Sequence, residues 1–210
     1  MRITAITLLL AALPAIASAR CVTADDLAQG ITFKREDGRT GLIQAKDGAL
    51  VVNYATNPKG AWQDLRVTER GIYEISRAST PTEDYIVGGG PGGYFTYKRS
   101  GTPPEPMPGK IWKTKVSQKL ATDDGTEFGS KVARSSYQAT YSFLPVAEAK
   151  LSGCTYRIQP VEVQYKASNT DNMQRFIYFP DLGFGLETRT VNHKNGEDVQ
   201  LGLTALKAMQ

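Results

Sequence analysis

Short runs in which apolar and polar residues alternate, cut at close intervals by Asp-Gly, Asn-Gly and Gly/Pro clusters, confine this chain to antiparallel sheet. Asp37-Gly38 and Asp47-Gly48 are two-residue hairpin signals that separate Ile31 to Glu36, Gly41 to Lys46 and Ala49 to Ala55 as three strands. Ala61 to Thr68 and Ile72 to Arg77 pair around Glu69-Arg70-Gly71, and Tyr94 to Lys98 forms a short aromatic strand. Lys110 to Leu120 sets Ile111, Lys113 and Lys115 against Trp112, Thr114 and Val116, giving one wet face and one buried face. Tyr137 to Phe143 alternates most clearly. Tyr156 to Tyr165 continues the pattern with a break at Pro160, and Arg175 to Phe179, Gly185 to Val191 and Val199 to Leu203 complete the set, with Asn195-Gly196 as a further hairpin turn.

Thr23 followed by Asp25 and Asp26 is an N-cap with acids in the first turn, and Gly30 stops the helix after Gln29. No stretch holds a long helical period, and no repeat of fixed spacing occurs. The expected fold is mainly β: a single antiparallel meander of about ten strands, rolled into a half-barrel or sandwich that hides its edges, with one short N-terminal helix. Pro103, Pro104, Pro106 and Pro108 make Thr102 to Gly109 a rigid crossover too short to separate two domains, so residues 20–210 read as one β-rich domain.

Residues 1–19 have the layout of a cleaved secretory signal: Arg2, an apolar run from Ala5 to Leu13, the breaker Pro14, and Ala17-Ser18-Ala19 at the cut. That run is too short to span a bilayer, and no later stretch approaches the roughly 20 apolar residues of a transmembrane helix. Arg20 before Cys21 argues against lipidation, where a small residue is required. A short leader with one basic residue points to a bacterium and to the periplasm. The formal charge of +4 becomes +3 once Arg2 leaves with the leader, 24 basic against 21 acidic residues, too small and too scattered an excess for nucleic acid.

In an oxidising compartment Cys21 and Cys154, the only two cysteines, form one bridge by default, with two free thiols as the alternative. The single histidine, His193, lies in the turn-like Asn192-His193-Lys194-Asn195-Gly196 without a companion for metal or acid/base work. The glycine run Gly88 to Gly93 leads into a strand rather than a helix, so it reads as a loop instead of a phosphate cradle. Asp123-Asp124-Gly125-Thr126-Glu127 is shorter than a calcium loop and reads as a hairpin turn. No catalytic residue, cofactor or metal is assigned. Ten Tyr and two Trp are the richest feature, mostly core. Tyr94, Tyr97, Tyr141, Phe143, Tyr178 and Phe184 are the candidate ligand contacts, because an aromatic body with a polar edge also suits a groove.

Ser152-Gly153-Cys154-Thr155-Tyr156-Arg157 resembles the cysteine motif of L,D-transpeptidases over about six residues, but no histidine precedes position 193 to activate the thiol. Pro108-Gly109-Lys110-Ile111-Trp112 and the stretch from Tyr178 to Glu187 resemble segments of exported bacterial β-rich proteins. A secretory leader with a long meander is similar in layout to the periplasmic lipoprotein carriers LolA and LolB, a resemblance that implies a rolled sheet holding acyl chains and transfers no individual contact residue. The leading expectation is a non-enzymatic periplasmic protein that binds an apolar or amphipathic ligand, or an envelope partner. The alternatives are an envelope hydrolase or transpeptidase, a small outer-membrane barrel and a purely structural protein.

Overall fold

Asp47 and Gly48 both take positive φ, 51° and 77°, the left-handed pair that lets a two-residue turn follow the twist of the strands it joins. They link β2 (Thr40–Lys46) to β3 (Ala49–Ala55). The computed structural model describes residues 20–55, 62–81, 93–123, 130–168 and 170–209; residues 1–19, expected from the sequence to be a leader, lie outside them. The other strands are β1 (Ile31–Arg35), β4 (Trp62–Glu69), β5 (Tyr73–Pro81), β6 (Gly93–Arg99), β7 (Ile111–Asp123), β8 (Ser130–Phe143), β9 (Ala147–Leu151), β10 (Cys154–Ala167), β11 (Thr170–Phe179), β12 (Phe184–Asn192), β13 (Glu197–Gln200) and β14 (Leu203–Ala208). All described pairings are antiparallel, in the order β13-β12-β11-β10-β8-β7-β6-β5-β4-β3-β2-β1-β14, with β9 on β10.

The mainly β meander expected from the sequence is therefore present, as one open sheet of 14 strands rather than about ten. The extra strands have physical reasons. Ser152 and Gly153 have φ of 52° and 80° and form a second left-handed turn, which creates the β9–β10 hairpin inside what reads as a cysteine motif. Pro160 does not break β10. It sits where the partner on one side of β10 changes from β9 to β8, and its carbonyl accepts from Leu144 N–H at 3.0 Å. Val199 to Leu203 is not one strand. Leu201 donates its N–H to Thr188 O on β12 at 2.7 Å, and Gly202 O accepts from Glu36 N–H at 2.8 Å beyond β1, so the chain changes sides between β13 and β14.

Two local expectations also change. The N-terminal helix is a single 3₁₀ turn, Ala24–Ala28, held by Asp26 O accepting from Gln29 and Gly30, because so few residues cannot propagate an α-helix. Asp37-Gly38 is not a two-residue hairpin. Residues 36–39 connect β1 to β2, with the Asp37 carboxylate accepting from Arg39 N–H at 3.0 Å.

The two ends of the sheet order, β13 and β14, are consecutive in the chain, so the sheet must roll to bring them together. Two apolar clusters fill the roll. In the first, Ile31, Phe33, Ile43, Val52 and Leu206 meet Tyr156, Phe179, Phe184 and Leu186; in the second, Ile72, Tyr73 and Val116 meet Tyr141, Phe143, Val163, Phe176 and Tyr178. Opposite walls touch at Gly71 and Gly185, where a Cβ on Gly71 would stand 2.1 Å from Gly185 O, and Gly185 N–H donates to Arg70 O at 2.9 Å. The Pro-rich segment joins the neighbouring strands β6 and β7, and Pro104 O accepts from the Tyr73 hydroxyl at 2.8 Å.

Cys21 and Cys154 are bonded, with Cα atoms 5.6 Å apart. The bridge fastens the segment before the 3₁₀ turn to the start of β10, where Val22 N–H also donates to the Tyr156 hydroxyl at 3.0 Å. A disulfide points to an oxidising compartment. Among the described residues no helix is long and apolar enough to cross a membrane.

Candidate functional site

Two β-bulges aim carboxylates at one arginine. Between β4 and β5, Val67 pairs with Ser76 and Thr68 with Glu74, so Ile75 is surplus to the ladder and the alternation reverses there. Glu74 consequently shares the inner face with Arg77. Between β11 and β12, Arg175 pairs with Arg189 and Phe176 with Glu187, leaving Thr188 surplus and bringing Glu187 and Thr190 to one side. Bulges of this kind re-aim side chains beside functional sites.

The target of both is Arg66, 5% exposed. Its Nη1 donates to Glu74 Oε1 at 2.9 Å and to Glu187 Oε2, and its Nη2 and Nε donate to Asp64 Oδ2 at 2.7 and 3.1 Å. Arg77 Nε reaches the other Asp64 oxygen at 2.8 Å, and the Thr190 hydroxyl donates to Glu187 Oε1 at 2.6 Å. Tyr54 lies between the guanidinium groups of Arg35 and Arg66, 4.4 and 4.5 Å from its ring centroid, and its hydroxyl accepts from Glu187 N–H. Burial pushes that hydroxyl up to about 12. Burial also opposes ionisation of Asp64 and Glu187, but Arg66, helped by Arg77 at Asp64 and by Thr190 at Glu187, holds both carboxyls below their ordinary values.

This ionic floor supports a cavity of about 400 Å³ between β5–β8 and β10–β11. Glu74, Arg77, Arg99, Tyr97, Tyr137 and Tyr165 line it, together with Gln118, Ser135, Asn172 and Gln174. Burial, and then the nearby Glu74 charge, raise Tyr97 and Tyr137 well above an ordinary phenol; burial and then Tyr141 do the same for Tyr165. All three present neutral hydroxyl groups. Arg99 is anchored by its Nε on the Tyr141 hydroxyl at 3.2 Å and by Nη1 on Glu74 O. Arg77 uses only Nε on Asp64, and its Nη groups and the Tyr97 and Tyr137 hydroxyls have no hydrogen-bond partner among the described residues. The lining therefore offers donors in excess of acceptors.

Of the six aromatic residues singled out in the sequence, Tyr97 lines this cavity. Tyr141, Phe143 and Tyr178 belong to the second core cluster and Phe184 to the first, while Tyr94 is 50% exposed on the opposite face of β6. Cys21 and Cys154 are joined to each other, so Cys154 carries no thiol. His193 is exposed in the β12–β13 connection. Residues 88–92 of the glycine run and 124–127 of the acidic turn lie outside the described residues, among which no group of three His, Cys, Asp or Glu could hold a metal ion. No protein-family model, curated protein or solved structure matches this chain. The site therefore has to be read from its own chemistry.

Arg66, Glu74, Arg77, Arg99 and Glu187 are the residues that sequence reasoning missed. One signal was present: β4 places Asp64, Arg66 and Thr68 on one face and Leu65 and Val67 on the other, and no surface requires a charged face to be that regular.

Proposed function

We propose that this protein is a non-enzymatic binding protein of the bacterial periplasm that takes an amphipathic ligand by its oxygen-rich head group. The observation that carries this reading is the donor excess in the cavity over Arg66: neutral tyrosine hydroxyls and arginine Nη groups meet phosphate, carboxylate or sugar oxygens, while the ring faces of Tyr137 and Tyr165 accept apolar carbons. Of the apolar or amphipathic ligand expected from the sequence, this reading takes the amphipathic one. The resemblance in layout to LolA and LolB, the leader expected at residues 1–19 and the disulfide support an envelope carrier. The bridge at Cys154 removes the nucleophile that a transpeptidase would need. Outward lysines on β7 count against a lipid-facing barrel wall.

Calorimetric titration with lysophosphatidylglycerol and dodecyl maltoside tests the proposal. At least one should bind saturably, and Tyr97→Phe/Tyr137→Phe, which removes two hydroxyl groups and keeps both rings, should weaken it about tenfold, from two hydrogen bonds at roughly 0.5–1.5 kcal/mol each. Absence of saturable binding to both probes, or equal binding by the double variant, overturns the reading.

A further inference from the structure

The outer face of β6, β7 and β8 collects charge that looks scattered along the sequence. Strand register sets Thr96, Lys119 and Arg134 side by side as one rung; Lys98, Ser117 and Ser136 form the next, and Lys115 pairs with Gln138 and Lys113 with Thr140 beyond them. Lys98, Lys113, Lys115, Lys119 and Arg134 are all exposed, and none has an ion-pair partner among the described residues. No Asp or Glu stands at residues 93–99, 111–122 or 131–143, which make up these three strands as far as the rung of Asp123 and Ser130. The first ones nearby are on β10 and β11, where Glu162 holds Arg175 and Asp171 accepts from Gln164. At about 3.3 Å per residue and 4.8 Å per strand, the patch covers roughly 20 by 10 Å.

The rung that ends this patch is apolar. Tyr94, Ala121 and Val132 are aligned across the three strands, directly beside Lys119 and Arg134, and Tyr94 and Val132 are 50% and 42% exposed. An apolar rung capped by a phenol, followed by a band of long basic side chains, matches the layered chemistry of a lipid surface: acyl boundary, then phosphate. A soluble polyanion would use the cations and leave the apolar rung idle. A two-dimensional patch also suits a plane of head groups better than a single strand of polymer.

We propose that the outer face of β6–β8 docks on an anionic phospholipid surface, with Tyr94 and Val132 at the acyl boundary and Lys98, Lys115, Lys119 and Arg134 at phosphate depth. This goes beyond ligand binding inside the roll and does not depend on it. The cavity lies on the opposite face of the same strands, with Tyr97 and Tyr137 one residue along from outward positions.

Co-sedimentation of the full chain with vesicles of phosphatidylcholine alone, and with about a third phosphatidylglycerol, provides the test. Binding should require phosphatidylglycerol and fall with salt. Each basic residue at such a surface contributes about a fivefold factor, so Lys115→Glu/Lys119→Glu/Arg134→Glu should reduce binding at least 50-fold with an unchanged urea midpoint. Tyr94→Ser/Val132→Ser should weaken vesicle binding several-fold while leaving retention on dextran sulfate as it was. Equal binding to both vesicle types, no loss in the triple charge variant, or vesicle binding by the Tyr94/Val132 variant equal to the parent overturns the proposal, the last in favour of a soluble polyanion. Maltoside binding in the cavity should survive the charge reversal, which keeps failure here distinct from failure of the proposed ligand site.

Discussion

Replacing both Cys21 and Cys154 by serine should lower the stability of the folded chain by about 3–5 kcal/mol. The bridge closes a sequence separation of 133 residues, for which loop-closure entropy alone gives roughly 5 kcal/mol, a ceiling that residual structure in the unfolded chain lowers. Its loss should also be felt locally. Val22 is buried, and its N–H is held by the Tyr156 hydroxyl, while the 3₁₀ turn beyond it is secured mainly by Arg20, Thr23 and Asp26. The Arg20 side chain, and then the Thr23 N–H, hold the Asp26 carboxyl down to about 2. Without the covalent tie, amides of residues 22–30 should exchange well before those of β10–β12. Urea unfolding of the serine variant, with hydrogen exchange resolved by segment, checks both statements. A stability loss under about 1 kcal/mol would mean that the N-terminal segment is held by its packing and that the bridge is incidental.

Much of this fold is legible because antiparallel hairpins are local. Asp47-Gly48 specifies its own turn through two positive φ angles, and the alternation in β7 and β8 correctly puts Thr114, Val116, Ala139, Tyr141 and Phe143 inside. What escapes is whatever depends on a partner far along the chain. Pro160 looks like a break until β10 is seen to exchange β9 for β8 at that point, and Leu201-Gly202 looks like mid-strand until its two hydrogen bonds are seen to go to opposite ends of the sheet.

The site is less legible for a sharper reason. Alternation assigns the apolar side chains of a strand to the core, and in β4 this points the wrong way: Leu65 is 40% exposed, while Asp64, Arg66 and Thr68 are buried. The preference is reversed by charges brought from 121 residues away in the case of Glu187. The bulges at Ile75 and Thr188 compound the problem, since a single surplus residue flips every later position to the other face and period-2 reading carries no mark of it. The tyrosines were visible as an excess, but which of them face the cavity depends on that same register.

Arg66→Met should cost about 3–5 kcal/mol at pH 7, because it strands Asp64 and Glu187 as buried carboxylates without their main counter-charge. The pH dependence separates this cause from simple loss of packing. In the parent protein both carboxyls lie below their unfolded values of about 4; the stability they contribute is complete above that pH and is lost as pH falls through their folded values. In Arg66→Met what still opposes burial is the Thr190 hydroxyl, the Gln174 amide and the Arg77 charge at Glu187, and Arg77 at Asp64. The folded carboxyls then titrate above their unfolded values, and the variant should gain stability as pH falls from 7 towards 5 while the parent holds steady. Urea midpoints measured across that range decide the matter: opposite slopes locate the cost in unpaired buried charge, whereas parallel curves would show that Arg66 serves the roll by filling space beside Tyr54.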